Sequence, residues 1–143
     1  MKYIAVIIFL LVGFVYADTE FADPKPSLEN PRKFVFPISE GTDEAINHVL
    51  NSTNNVMKFY GPEKCEICIV CYSKGIKALL KNRSFSKRVK SLMTYDVEFI
   101  ACGNTMRTLK IKKERLLDGV EIVTAGIVEL IERQLKEWIY IRP

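Results

Sequence analysis

The sequence predicts an α/β domain built on a five-stranded parallel sheet with helices on both faces. Two observations carry that expectation. Short apolar runs rich in Val, Ile, Phe and Cys alternate along the chain with segments whose apolar residues recur at helical spacing. The alternation continues until five strand-like runs have been laid down, and strands joined in turn by helices form a parallel sheet covered on both sides.

The first strand is read in "FVFPI", Phe34 to Ile38. "TDEAINHVLN" follows, with Ala45, Ile46, Val49 and Leu50 on one helical face, Thr42 as the cap, and Asp43 and Glu44 in the first turn, where acids suit the positive end of a helix. "CEICIVCY" is the second strand, and "SKGIKALLK" is read as a helix marked by Ile76, Leu79 and Leu80. Ser84 is expected to cap "SFSKRVKSLM", which sets Phe85, Val89, Leu92 and Met93 on one side, and strand chemistry returns from Asp96 to Cys102. "VEIV", Val120 to Val123, is a fourth short strand. "TAGIVELIERQLK" then places Ile127, Leu130, Ile131 and Leu135 on one stripe, and "WIYI" closes the sheet, with Trp138 and Tyr140 expected to fill core or subunit-interface space.

Ahead of these elements stands "MKYIAVIIFLLVGFVYADTE", an apolar run from Ile4 to Tyr16 that ends in a small residue, Ala17. It falls short of the ~20 apolar residues of a spanning helix and is read as a secretory signal, residues 1–17, cut after Ala17. The chain is therefore expected to be exported, to the periplasm, with no membrane span after cleavage. Residues 18–33, with Pro24, Pro26 and Pro31 and little apolar periodicity, are read as an extended leader, and residues 34–143 as one domain. The 126 residues from Asp18 to Pro143 carry 20 basic and 17 acidic side chains, a balance too mild to argue for a nucleic-acid partner.

"KCEICIVCY", residues 64 to 72, spaces three cysteines three residues apart, in the manner of a metal ligand set, but its residues are those of a strand. Along a strand Cys65 and Cys71 face one side and Cys68 the other, with the outer pair roughly 20 Å apart at ~3.3 Å per residue. Three thiolates so placed cannot share one ion, so no metal and no cofactor is expected. Cys65 and Cys68 are read as packing residues, whereas Cys71 sits at the carboxyl end of its strand, where open α/β sheets place their crevices. Cys102 also ends a strand. Gly103, Asn104 and Thr105 follow it, suited to a tight turn or a helix start, where backbone N–H groups stabilise a thiolate. Arg107 and Lys110 would add positive potential if they fold back. The alternative is a buried strand-end cysteine beneath a glycine turn.

The residues from Val97 to Pro143 resemble the C-terminal half of DsrE/DsrF-like proteins. The shared features are Cys102-Gly103-Asn104-Thr105, the acidic-leucine stretch Glu114 to Leu117, the strand Val120 to Val123, the helix start Ala125-Gly126, the pair Arg133-Gln134 and the terminal Tyr140 to Pro143. Upstream the likeness runs through "IVCYSKGIKALL", where relatives carry a His-Gly-x-Gly-like turn and only Gly75 matches. The resemblance implies a three-layer α/β/α domain, assembly as a homo-oligomer, and a cysteine, here Cys102, that holds a persulfide for exchange with a sulfur donor or acceptor protein. It also implies that the strands ending in Cys71 and Cys102 are neighbours, which would make the two a redox pair. Lys74 and Gly75 join Gly103, Asn104 and Thr105 as expected binding residues.

Between Ile67 and Tyr95 there is no acid, while seven Lys and Arg occur from Lys74 to Lys90, a solvated basic face or an attractor of anions. His48 has no located partner, and phosphate-loop, nucleophile-elbow and paired-histidine motifs are absent. Three functions stay open: a thiol-based sulfur carrier, a non-catalytic oligomeric binding module, and a Cys71/Cys102 thiol–disulfide protein. Each is a carrier or binder rather than a turnover enzyme.

Overall fold

The computed structural model describes residues 17–143, so the segment read as a signal lies, apart from Ala17, outside the described residues. Its strands are β1 (Arg32–Ile38), β2 (Cys65–Cys71), β3 (Glu98–Cys102), β4 (Glu121–Val123) and β5 (Ile139–Tyr140). Its α-helices are α1 (Asp43–Tyr60), α2 (Ser86–Met93), α3 (Gly103–Thr108) and α4 (Gly126–Leu135). Every strand pairing is parallel, in the order β4-β3-β2-β1-β5, as the α/β expectation requires. Among the described residues no helix is long and apolar enough to cross a membrane.

The strand order dictates the layers. Crossovers between parallel strands are right-handed, so the steps from β1 through β4, all taken in one direction, put their connections on one face. The return from β4 to β5 runs the other way and puts α4 on the opposite face. The first face packs Phe34, Phe36, Ile69, Cys71 and Phe99 beneath α1 and α2, while the second packs Val35, Cys68, Val70 and Ile100 beneath Leu130 of α4 and Trp138. At about 1.5–3 kcal/mol for each fully buried large apolar side chain, the first face, with Phe36, Phe85 and Phe99 enclosed, supplies most of the hydrophobic stabilisation.

Local chemistry sets the element ends. Thr42 caps α1 as expected, its Oγ1 accepting from Ala45 N–H at 3.2 Å. The helix runs past the expected stretch to Tyr60, because Thr53 and Met57 continue its buried stripe. Gly61, at φ 87°, then ends it, a conformation that only glycine adopts without strain.

Three expectations are corrected. The segment Ser73–Leu79 is a 3-10 rather than an α-helix, pinned by backbone bonds at both ends. Gly75 N–H donates to Ser39 C=O at 3.0 Å at one end, and at the other Lys81 N–H donates to Arg115 C=O at 3.0 Å and Leu117 N–H to Leu79 C=O at 2.8 Å. Ser84 does not cap α2, because its hydroxyl donates to Asp43 Oδ2. The leader is not a bare tether, since the Phe21 ring packs at a tilt 5.4 Å from Phe59 and 5.7 Å from Tyr60 at the end of α1, and Arg32 already belongs to β1. The α4 stripe divides, for Leu130 is buried while Ile127, Ile131 and Leu135 are about half exposed or more. Trp138 is enclosed beneath Arg133, whose guanidinium lies 4.3 Å over the indole, and Tyr140 is exposed.

The tightest joint is Gly75. A Cβ there would stand 2.0 Å from the Ile38 carbonyl oxygen, with backbone as the obstacle. Gly75→Ala should therefore cost about 1–3 kcal/mol or more in urea unfolding. An unchanged urea midpoint would refute this packing of the 3-10 segment against the end of β1.

Candidate functional site

Three connections leave the carboxyl end of the sheet toward the first face, and the fourth, from β4, leaves toward the second. The crevice at such a topological switch point is where open α/β sheets bind ligands, and here it lies between β3 and β4. Cys102 is the last residue of β3 and the residue that precedes α3. By strand parity it shares the α4 face with Ile100.

The turns around Cys102 leave no room for side chains. A Cβ on Gly103 would meet the Val123 carbonyl oxygen at 2.8 Å, and one on Gly126 would stand 3.1 Å from Cys102 Cβ, 3.2 Å from Val70 Cγ1 and 3.3 Å from Tyr72 Cβ. Glycine at 126 thus lets α4 begin against the cysteine, and glycine at 103 lets α3 begin against β4. Asn104 N–H donates to Thr124 C=O at 3.0 Å, tying the two helix starts together.

Those starts bring polar groups beside the sulfur. Burial pushes the Cys102 thiol up, but the Thr105 hydroxyl, then the N–H groups of Gly126, Thr105 and Asn104, outweigh it and hold the thiol below its ordinary range. Thr105 is oriented in turn: its Oγ1 accepts from Ser73 N–H at 3.0 Å, which leaves its own proton free for the sulfur. Ser73 reaches this position with φ 52°, in the left-handed region. Every donor in this set is uncharged. Arg107, expected to lend its charge, donates instead to Asn104 Oδ1 at 2.5 Å.

The sequence profile of the DsrE/DsrF-like family matches residues 33–143. The chain belongs to the DsrE/DsrF-like family. That family is generally linked to sulfur relay. Among solved structures, the protein of unknown function MTH1491 from Methanobacterium thermoautotrophicum is similar at 31% identity and a TM-score of 0.75, over 78% of this chain and 99% of that one. The ychN protein from E. coli shares the fold at 18% identity and a TM-score of 0.69, again over 78% and 99% of the two chains. No curated protein matches.

In this DsrE/DsrF-like domain the expected residues fall into separate groups. Cys102, Gly103, Asn104 and Thr105 converge, joined by Gly126, Tyr72 and Ser73, which the sequence reading did not place at the site. Gly126 had been visible only as a helix start, and nothing local marks Ser73 as a partner for a residue 32 positions away. Lys74 is exposed on the neighbouring 3-10 segment, and Gly75 is buried against β1. His48, exposed on α1, lines a separate cleft of about 430 Å3 at the ends of β1 and β5, and Cys102 does not line it.

Cys71 does not join Cys102, which corrects the proposed redox pair. β2 and β3 are neighbours, but Cys71 stands in register with Ala101 and packs with it in the first-face core. Cys102 is one residue further and on the other side, so the two Cβ vectors diverge where a disulfide needs them to converge. All four thiols are free. Burial raises Cys71 far above the ordinary thiol range, with Cys68 adding to the effect, and pushes Cys68 up to about 12. Cys65 is raised by burial and then by Glu63. Among the described residues no group of His, Cys, Asp and Glu is placed to hold a metal ion.

Alkylation of the folded chain should therefore be fastest at Cys102, with a pH midpoint below the ~8.5 of an unperturbed cysteine. Thr105→Val should move that midpoint upward, because the thiolate loses its hydroxyl donor. Site-resolved mass spectrometry of timed iodoacetamide reactions reads both effects. A Cys102 midpoint above that of Cys65 would show that the donors do not stabilise the anion.

Proposed function

We propose that the protein is a thiol-based sulfur carrier that holds a persulfide on Cys102. The observation that carries this reading is the place of Cys102 at the switch point, between the starts of α3 and α4, where a Cβ on Gly126 would stand 3.1 Å from its own. Loading begins with Cys102 as thiolate, which attacks the outer sulfur of a donor persulfide. The donor S–S bond breaks, the donor's inner sulfur leaves as a thiolate, and a Cys102–S–S bond forms without net oxidation. Delivery reverses the polarity: an acceptor thiolate attacks the outer sulfur and Cys102 leaves with the electron pair. A thiol of lowered pKa leaves faster, so the donors that favour ionisation also favour release. Catalysis in the turnover sense is not required, only a partner protein on each side.

Cys102 is 6% exposed, so its access to solvent is narrow. An added sulfur would extend beyond this narrow access toward the partner. Export of the chain, with cleavage after Ala17, belongs to the same proposal and rests on the apolar run from Ile4 to Tyr16.

Polysulfide treatment should add about one sulfur, roughly 32 Da, that Cys102→Ser abolishes and Cys65→Ser retains. Intact mass spectrometry before and after treatment measures it. An equal gain in Cys102→Ser would end the carrier reading and leave a binding module in its place.

Self-association is the second part of the proposal. Alone on its face, α4 presents Ile127, Val128, Ile131 and Leu135 to solvent, and Tyr140 of the edge strand β5 is exposed on the same side of the sheet, in register with Val35. Apolar surface gathered in this way is characteristic of subunit contacts. Light scattering should give a multiple of the chain mass that Ile131→Asp reduces to the monomer. A monomer mass for the unmodified chain across a wide concentration range would refute it.

A further inference from the structure

The ends of β1 and β2 hold a second cleft, of about 450 Å3, beside the start of α1. Small-molecule pockets typically measure about 300–1,000 Å3 and combine apolar walls with a few placed polar groups. Here Ile76 and Leu80 form a buried floor, Ile111 is half-buried, and Leu109 is 51% exposed at the wall. Lys74, Lys77 and Arg83 contribute the charge.

The state of those charges defines what fits. Asp43, the acid beside them, is fully engaged: Oδ1 accepts from Lys77 Nζ at 2.7 Å and Oδ2 from Ser84 Oγ at 3.3 Å. Lys77 also donates to the Gly41 carbonyl at 3.1 Å, so its ammonium is both positioned and matched. Lys74 and Arg83 have no ion-pair partner among the described residues. The run from Ile67 to Tyr95 contains no acid that could neutralise them from within. Lys74 thus stands over an apolar floor without an ion-pair partner, and Arg83 feels only the through-space attraction of Asp43.

We propose that this cleft binds a small amphipathic anion, a medium-chain carboxylate, with its alkyl chain on Ile76, Leu80, Leu109 and Ile111 and its headgroup between Lys74 and Arg83. The proposal goes beyond the sulfur reading and does not depend on it, because Cys102 does not line the cleft. Chain and headgroup each supply part of the affinity. An alcohol of equal length forgoes the charge-assisted hydrogen bonds, and acetate forgoes the apolar burial.

Isothermal titration calorimetry of the full chain with octanoate, octanol and acetate tests it. Octanoate should saturate one site per chain while the other two compounds do not. Its affinity should fall about fivefold or more when Lys74→Ala and Arg83→Ala are combined, the loss expected of exposed ion pairs, and it should weaken with added salt. Leu109→Asp, at a position already half exposed, should abolish binding without disturbing the core, as circular dichroism would verify, and Lys90→Ala should change nothing. Octanoate binding that never saturates, or that persists unchanged in Leu109→Asp, would overturn the proposal. Binding of an acidic apolar peptide in place of octanoate would overturn it in favour of a protein-docking surface.

Discussion

The handedness of parallel crossovers is the constraint from which the rest of this structure follows. Three steps in one direction crowd α1, the 3-10 segment, α2 and α3 onto one side of the sheet, and the single return step leaves α4 alone on the other. The split opens the sheet end between β3 and β4 and places Cys102 in the gap. It also explains why the two faces are held differently. The crowded face is secured by enclosed phenylalanines, whereas α4 contributes only Leu130 to the core and relies on Arg133, which reaches Glu98 on β3 and Glu129 on its own helix while covering Trp138. Partly buried ion pairs add little net stability over apolar packing, but they admit few alternative seatings. That suits a helix whose first N–H must stay on a sulfur atom.

The four cysteines show how one residue type acquires different chemistry from position alone. Strand parity sends Cys65 and Cys71 to one face and Cys68 to the other, and in the sheet interior, with no donor to stabilise a thiolate, Cys68 and Cys71 are held protonated. Cys102 is also largely enclosed, yet its thiol moves the opposite way, because it lies where the ladder ends and backbone N–H groups are no longer committed to a neighbouring strand. Burial alone therefore does not predict thiol acidity here. The supply of donors beside the sulfur does.

Much of this was legible in the chain. Strand and helix alternation gave the parallel sheet, Thr42 announced the start of α1, and the Cys-Gly-Asn-Thr turn pointed to Cys102 and three of the residues around it. What stayed hidden was tertiary. The 3-10 form of Ser73–Leu79 depends on bonds to Ser39 and Arg115, which no local pattern encodes. The adjacency of β2 and β3 implied by the family likeness is real, but a register offset of one residue turns nearness into separation of Cys71 from Cys102. The α4 stripe was recognised as apolar without any means of knowing that most of it would face outward. Apolar periodicity identifies a helix face but not the surface that covers it.

The seating of α4 has a consequence for how its two sides communicate. The same ten-residue helix that offers the Gly126 N–H to the sulfur turns Ile127, Ile131 and Leu135 to the outside. Any contact that displaces the helix slightly along the sheet must change how well the anion is solvated by its donors. Thermodynamic linkage then requires the reverse, that ionising the sulfur changes the strength of that contact by the same factor. In such an arrangement the occupancy of an outer surface and the electronic state of a single buried atom become two readings of one equilibrium.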